Sequence, residues 1–136
     1  MRLILLVLSA VVVAEAFRKQ TVGIKGKLMC GSQPLVGATV KLWDEDTGPD
    51  PDDLLDSGTT GGDGSFQLSG SETETTNIDP KFKVYHNCNN KWPCKRKVTF
   101  TIPDKYINGG SNVGKWFEIG TLNMETIFEK EDRKCF

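Results

Sequence analysis

An acidic stretch holds the residues with the clearest capacity for metal chemistry in this 136-residue chain. Residues 42–80 contain eleven Asp and Glu side chains and no Lys or Arg. Carboxylates crowded on one loop repel one another unless water or a cation separates them, and calcium takes several oxygen ligands of this kind. The predicted calcium ligands are Asp44, Asp46, Asp50, Asp52 and Asp53. Their spacing differs from that of an EF-hand. Two interpretations are therefore compatible with the sequence, namely a weak extracellular calcium site and a solvated loop that binds no cofactor.

A basic stretch follows and offers a different chemistry, which is contact with an anionic surface. Residues 81–115 contain eight Lys and Arg side chains and a single acid, Asp104. An exposed Trp among cations suits a phospholipid surface, because indole rings settle at the headgroup level and anionic lipid attracts each cation. The predicted lipid-binding residues are Lys91, Trp92, Lys95, Arg96 and Lys97. The alternative is that Trp92 packs over a disulfide and the cations serve only solubility.

Four cysteines predict two disulfide bonds, because an even number in an exported chain is usually paired. They are Cys30, Cys88, Cys94 and Cys135. We favour pairings in which Cys30 and Cys135 each join one of the other two, which flank the turn-like Trp92-Pro93. A zinc site is disfavoured, since the spacing of Cys88 and Cys94 and one nearby His do not fit tetrahedral zinc ligation.

The chain lacks the side-chain combinations that catalysis requires. His86 is its only histidine and lies within an alternating strand, where a histidine is more often structural than catalytic. No nucleophile has an evident base partner, and no Gly-x-Ser-x-Gly element is present. The basic residues form no cluster strong enough to suggest nucleic-acid binding. The sequence therefore predicts a binding protein that is not an enzyme and has no nucleic-acid partner.

The first 16 residues predict a secretory signal peptide. Arg2 precedes an apolar run over residues 3–13, and Ala14-Glu15-Ala16 forms a small-x-small cleavage site before Phe17. The apolar run is too short to cross a hydrocarbon core of about 30 Å as a helix. Residues 17–136 are then expected to form one domain of ordinary size that is secreted to the extracellular space.

Alternating apolar and polar residues, separated by clusters of Gly, Pro, Asn and Asp, predict an all-β fold. Asp63-Gly64 between two such runs is a strong hairpin signal. The predicted strands cover residues 21–29, 37–43, 54–60, 65–70, 80–88, 96–102 and 116–124. Short strands at this spacing are typical of a β-sandwich, which can place the acidic and basic stretches on different faces.

Residues 23–68 also support a family resemblance. They contain a glycine-bearing strand, a cysteine, the pattern Pro-Leu-x-Gly-Ala-x-Val-x-Leu over residues 34–42, and Thr-x-x-Asp-Gly-x-Phe over residues 60–66. Together with Lys83–Cys88 and Ile102-Pro103, these features resemble the transthyretin-like family of secreted nematode proteins. The resemblance implies a transthyretin-like Greek-key β-sandwich of about seven to eight strands.

The same resemblance implies a function. The chain looks similar to the family member that bridges phosphatidylserine on apoptotic cells to a phagocyte receptor and promotes engulfment. The expected partners are an anionic phospholipid surface, contacted peripherally, and the extracellular domain of a cell-surface receptor. The alternative is a carrier of a small apolar ligand. Purine-breakdown hydrolases of similar fold use several His and Arg residues and a Tyr-Arg-Gly-Ser ending, whereas this chain has one His and ends at Arg133–Phe136, so their activity is not expected.

Overall fold

Ten β-strands form the framework of the chain in the computed structural model, which describes residues 17–46 and 51–135. The strands are β1 (Arg18–Cys30), β2 (Gln33–Pro34), β3 (Thr39–Asp44), β4 (Asp53–Thr59), β5 (Ser65–Glu74), β6 (Pro80–His86), β7 (Lys95–Thr101), β8 (Asn108–Gly109), β9 (Phe117–Asn123) and β10 (Glu131–Lys134). A 3-10 turn, Asp104–Tyr106, precedes β8. The predicted signal peptide, residues 1–16, lies outside the described residues and stays a prediction.

The strands form two sheets that pack face to face. In the first sheet, β1 pairs with β5, β2 and β8 in antiparallel fashion and with β9 in parallel fashion. In the second sheet the order is β10-β7-β6-β3-β4, and all neighbouring strands are antiparallel. The chain passes from β4 in the second sheet to β5 in the first, and then back to β6. The predicted all-β, two-sheet sandwich is therefore confirmed.

The core between the sheets follows from the period-two alternation of the strands. In β3, Val40 and Leu42 are fully buried, while the residues beside them, such as Lys41, are only half-buried. Phe66 of β5 stacks on Phe82 of β6 with ring centroids 4.7 Å apart, which joins the two sheets. Burial of such apolar surface, at about 25 cal/mol per Å², is the main favourable term in folding.

The turn between β4 and β5 depends on a glycine. Gly64 has a φ of +84°, and a Cβ at this position would lie 2.2 Å from the carbonyl oxygen of Leu28 in β1. The backbone N–H of Leu28 donates to the Gly64 carbonyl at 2.9 Å. Both the left-handed conformation and the close approach of β1 therefore require a residue without a side chain.

The structure contains strands that the sequence pattern did not predict. β2 and β8 have two residues each, which is too short for any periodicity to register. β10 reads Glu-Asp-Arg-Lys and therefore has no apolar residue from which the sequence pattern could identify a strand. β5 continues to Glu74, four residues beyond the predicted end at residue 70. The described residues therefore contain ten strands, where seven to eight were expected.

Two disulfide bonds, Cys30–Cys88 and Cys94–Cys135, join distant parts of the chain. This is one of the pairings that the sequence favoured. The first bond links the end of β1 to the segment after β6, and therefore links the two sheets. The second links the residue before β7 to the residue after β10. Within residues 17–46 and 51–135, no helix has the length and apolar character to cross a membrane.

Candidate functional site

Opposite charges gather at the two ends of the second sheet. β3 runs from Thr39, which pairs with Tyr85, to Asp44, which pairs with Pro80. This six-residue strand rises about 3.3 Å per residue, so its ends are about 16 Å apart. The acidic end is defined by Asp44, Asp46, Asp53 and Glu74. The basic end is defined by Lys41, Lys91, Trp92, Lys95 and Lys134.

Four carboxylates converge at the acidic end. One oxygen from each of Asp44, Asp46, Asp53 and Glu74 lies within 4.8 Å of the others. Asp44 ends β3 and pairs with Asp53, the first residue of β4, while Glu74 ends β5 of the other sheet. A cavity of about 500 Å³ adjoins the group and is lined in part by Asp44, Asp46 and Glu74. The strand ladders therefore fix the backbone positions of three of the four carboxylates.

The Asp44 carboxylate is buried, with 0% of the residue exposed, and only half satisfied. Its Oδ1 accepts the backbone N–H of Asp79 at 2.8 Å, whereas its Oδ2 has no hydrogen-bond partner among the described residues. Burial and the adjacent Asp44 carboxylate raise the pKa of Glu74 to about 8. Burial and the charge of Asp53 also raise the pKa of Glu72. Negative charge at this end is therefore unfavourable unless a proton or a metal cation compensates it.

Three of the five predicted calcium ligands lie in this group, namely Asp44, Asp46 and Asp53. Asp52 is placed differently, because its Oδ1 accepts the backbone N–H of Asp46 at 3.0 Å and ties the two sides of the loop together. Asp50 lies outside the described residues. Sequence reasoning missed Glu74, since it ended β5 four residues too early.

A loop anchored by both disulfides presents Trp92 at the basic end. Trp92 is 68% exposed, and Lys91 and Lys95 beside it are exposed as well. Within the loop, the side-chain amide of Asn90 donates to the carbonyl of Cys94 at 2.7 Å. The disulfides at the two ends of the loop fix where it leaves the sandwich. The sequence placed Trp92 either on the surface or over a disulfide, and the structure has it on the surface.

A cavity of about 360 Å³ adjoins this loop at Pro93. Three lysines line it, and they come from β3, β7 and β10 respectively: Lys41, Lys95 and Lys134. Lys41 Nζ also lies 5.3 Å from the ring centroid of Tyr85, which lines the same cavity. Sequence reasoning missed Lys41 and Lys134, because only the strand order of the second sheet brings them beside Lys95. Three lysines around one cavity favour an anionic ligand.

The prediction that Arg96 belongs to the lipid-binding face is wrong. Its side chain is 1% exposed and forms a bidentate ion pair with Glu131, so it does not face a membrane. Lys97 is half-buried and lines a separate depression that it shares with Glu45 and Asp132. Side chains alternate between the two faces of β7, so Arg96 points inward while the lysines on either side point outward. The sequence pattern did not reveal this alternation, because three consecutive residues are cationic. The residues that the structure retains on the loop are Lys91, Trp92 and Lys95.

His86 is buried and hydrogen-bonded within the fold. Its Nδ1 accepts the backbone N–H of Cys88 at 3.0 Å, and its Nε2 has no partner among the described residues. Burial and the nearby Arg96 guanidinium lower the pKa of His86 to about 4. The imidazole is therefore neutral at physiological pH and holds the start of the loop that carries Trp92. This geometry matches a structural histidine more closely than a catalytic one.

Known proteins resemble this chain over most of its length. Residues 25–103 match the family described as TTR-52: Transthyretin-like family. In Caenorhabditis elegans, Transthyretin-like protein 33 is 50% identical over 123 residues, which cover 90% of this chain and 86% of that protein. Transthyretin-like protein 46 is 47% identical over 98% of this chain and 75% of its own length, and Transthyretin-like protein 5 is 46% identical over 98% and 96%. The chain therefore belongs to the transthyretin-like family of nematode proteins.

Proposed function

We propose that this chain is a secreted, non-enzymatic binding protein that bridges phosphatidylserine on apoptotic cells to a phagocyte receptor and so promotes engulfment. The observation that carries the proposal is the disulfide-anchored loop in which exposed Trp92 lies beside Lys91 and Lys95. The two disulfides are also consistent with an oxidising, extracellular compartment. Membrane contact is peripheral and is made through the basic end.

Two physical terms act together at this loop. Anionic headgroups attract the lysines within about 8–10 Å of the surface at ordinary salt, and each cation contributes about 1 kcal/mol. The indole adds apolar contact at the headgroup level, where Trp side chains are enriched. Because disulfides and the Asn90 hydrogen bond already hold the loop, binding costs little conformational entropy.

The lysine-lined cavity supports the assignment of membrane contact to the basic end. Pro93, the residue after Trp92, contributes to its wall, so a headgroup beside an inserted indole would meet Lys41, Lys95 and Lys134. Phosphatidylserine carries a phosphate and a carboxylate, and three ammonium groups can compensate both. The acidic end lies about 16 Å away along β3 and faces away from a bilayer bound at the loop. That end is the surface we assign to a receptor's extracellular domain.

The alternative function, carriage of a small apolar ligand, has less support. The space between the sheets is occupied by side chains that are fully buried, including Ile24, Leu42 and Phe82. The depressions at the acidic and basic ends, of about 500 and 360 Å³, have linings in which charged and polar residues predominate. An apolar ligand would therefore have to displace packed core side chains, which is costly at interior packing density.

Vesicle sedimentation tests the proposal. The secreted protein is mixed with phosphatidylcholine vesicles that contain or lack phosphatidylserine, at several salt concentrations and with or without a calcium chelator. We expect binding only to vesicles with phosphatidylserine. Trp92→Ala should weaken it at every salt concentration, and Lys91→Ala with Lys95→Ala should weaken it by roughly tenfold or more, mostly at low salt. Leu54→Ala, at an exposed apolar residue of β4, is the matched control and should bind normally.

Two results would contradict this assignment. Equal binding to both vesicle types would remove the anionic lipid from the proposal. Complete loss of binding on chelation, with normal binding by the double lysine variant, would instead place the lipid at the acidic end through calcium. Circular dichroism of each variant confirms that the fold survives, so that lost binding is attributable to the surface.

A further inference from the structure

We propose that the acidic end is a binding site for one divalent cation of the calcium class, ligated by Asp44, Asp46, Asp53 and Glu74. The proposal is independent of the lipid-binding function, which uses the opposite end of the sandwich. It also differs from the loop site that the sequence suggested, because the ligands come mainly from strand ends and include a residue of the other sheet.

The spacing of the four carboxylates fits a shared ion. Their candidate ligand oxygens all lie within 4.8 Å of one another. Oxygens bound to one calcium ion at 2.3–2.6 Å lie no more than about 5 Å apart. Asp44 and Asp53 are register partners in adjacent strands, and Glu74 approaches from β5. The fold therefore brings the ligands together before any ion binds, which lowers the cost of assembling the site.

A buried oxygen without a partner points to the ion independently of this clustering. Asp44 Oδ2 is buried and accepts no hydrogen bond from the described residues, although Asp44 Oδ1 accepts one from Asp79. A buried carboxylate oxygen left unpaired is costly, and charged groups in such positions are usually paired or coordinate metals. Asp46 and Asp53 offer further acceptors and no donor when they are ionised, and Glu74 offers a donor only when it is protonated. A cation at this point would pair with the buried Asp44 oxygen and balance the charge of the carboxylates around it.

The lysines that approach this end are already engaged. Lys81 Nζ lies 3.4 Å from Asp79 Oδ1, and Lys83 Nζ lies 3.7 Å from Glu45 Oε1. Lys83 also lies over the ring of Trp43, with its Nζ 5.6 Å from the centroid. These contacts direct the two ammonium groups to neighbouring acids and an aromatic ring, and they leave the buried Asp44 oxygen unpaired.

The donor set selects the class of ion. Four carboxylates without nitrogen or sulfur ligands favour a hard cation over zinc or copper. The adjoining cavity of about 500 Å³ leaves room for waters that complete a coordination number of six to eight. Such an open, partly hydrated site in an extracellular domain is expected to bind calcium with a Kd of about 10⁻⁴–10⁻³ M. Magnesium, which needs near-ideal octahedral geometry, should bind more weakly.

The ion would connect the two sheets. Asp44 and Asp53 belong to the second sheet, whereas Glu74 belongs to the first. The Cys30–Cys88 disulfide already connects the sheets near the basic end. A cation at the acidic end therefore closes the sandwich at the end that has no covalent link among the described residues.

A different source of positive charge provides the competing explanation. Phe17 lines the same cavity, and cleavage before Phe17 would create an α-amino group there. If that amine compensates the carboxylates, blocking it by acetylation should lower the melting temperature and calcium should have no effect. If a metal ion compensates the carboxylates instead, calcium should raise the melting temperature whether or not the amine is blocked.

Calorimetry and thermal denaturation of the disulfide-bonded chain starting at Phe17 test the proposal. The protein is stripped with a chelator, dialysed, and titrated with calcium chloride or magnesium chloride to about 10 mM, well above the expected Kd. We expect one bound calcium and a rise of several degrees in melting temperature, because a ligand that binds only the folded state stabilises it. Asp53→Asn and Glu74→Gln should each weaken calcium binding at least tenfold.

Asp52→Asn is the matched control. It removes an equal charge nearby but keeps an oxygen that accepts the Asp46 N–H, so calcium binding should be unchanged. Glu74→Gln should also melt at a higher temperature than the stripped wild type, because the exchange removes one of the crowded carboxylates. A higher melting temperature would show that the variant is folded, so that its lost calcium response does not come from unfolding. The proposal is overturned if calcium produces neither heat nor a thermal shift, or if Glu74→Gln responds to calcium as the wild type does.

Discussion

Arg96 and Glu131 form a bidentate ion pair in the interior of the second sheet, with Nε–Oε2 at 2.9 Å and Nη2–Oε1 at 2.7 Å. The guanidinium also donates to three backbone carbonyls, those of Cys88, Met124 and Thr126, at 2.7–2.9 Å. These bonds use all five N–H donors of the side chain. A fully buried charge is tolerated here because every donor is satisfied and the counter-charge is adjacent.

Among the lysines and arginines of the basic stretch, we expect Arg96 to be the residue whose exchange for Ala destabilises the fold most. The exchange leaves Glu131 and three carbonyls without their donor, and breaking a buried pair in this way costs about 3–5 kcal/mol. Urea denaturation measures the free energy of unfolding. Lys97→Ala, one residue away and half-buried on the outer side, is the control and should change stability by less than about 1 kcal/mol. A loss below about 1 kcal/mol for Arg96→Ala would contradict this account.

The second prediction concerns pH and His86. Burial and Arg96 hold its pKa at about 4 in the folded state, whereas an unfolded histidine has a pKa of about 6.5. The unfolded chain therefore takes up a proton first, and the free energy of unfolding should fall by up to about 3 kcal/mol between pH 6.5 and pH 4. Above pH 6.5 this contribution is constant.

His86→Asn isolates that term, since the amide oxygen can still accept the Cys88 N–H and does not titrate. Denaturant midpoints measured from pH 7.5 to pH 4 should decline less steeply for the variant. Glu131 titrates in both proteins, and its pKa is lowered chiefly by the Arg96 hydrogen bonds, which the exchange leaves in place, so most of its contribution is common to both curves. Parallel curves would show that His86 does not control stability in this range.

The third prediction separates two glycines of one turn. Gly64→Ala should cost more than about 2 kcal/mol, because a Cβ at a φ of +84° would lie 2.2 Å from a backbone oxygen of β1. Gly62→Ala should be neutral within about 0.5 kcal/mol, since nothing lies within 4 Å of its added Cβ. Thermal denaturation measures both. Equal melting temperatures for the two variants would mean that the turn and β1 adjust without cost.

The sequence predicted the β-sandwich well where alternation was clear. β3 and β6 begin and end within two residues of the predicted bounds, because buried residues such as Val40 and Val84 alternate with polar ones. Alternation fails where a strand has no apolar residue, as in Glu131–Lys134. It also failed for Arg96, since a buried arginine satisfied by five hydrogen bonds looks in sequence like a surface cation.

The candidate sites were predictable only in part, because each combines residues from separate strands. Trp92 and its neighbouring lysines are close in sequence, so the composition of this short segment was enough to indicate a basic, aromatic surface. Lys134 joins Lys95 only because β10 pairs with β7, and the two lysines are register partners there. Glu74 reaches Asp44 across the two sheets. Such long-range neighbours leave no signal in a single sequence.

The position of β1 has a consequence for the order in which the chain folds during synthesis. One edge of β1 pairs with β5, which is complete by Glu74, whereas the other edge waits for β9, whose Phe117 pairs with Ile24. About 40 residues lie between Glu74 and Phe117, so at roughly 5–20 residues per second this edge of β1 stays open for about 2–9 s. An open strand edge readily pairs with another chain. A chain truncated before β9 would therefore tend to associate with other copies along β1, in addition to being less stable.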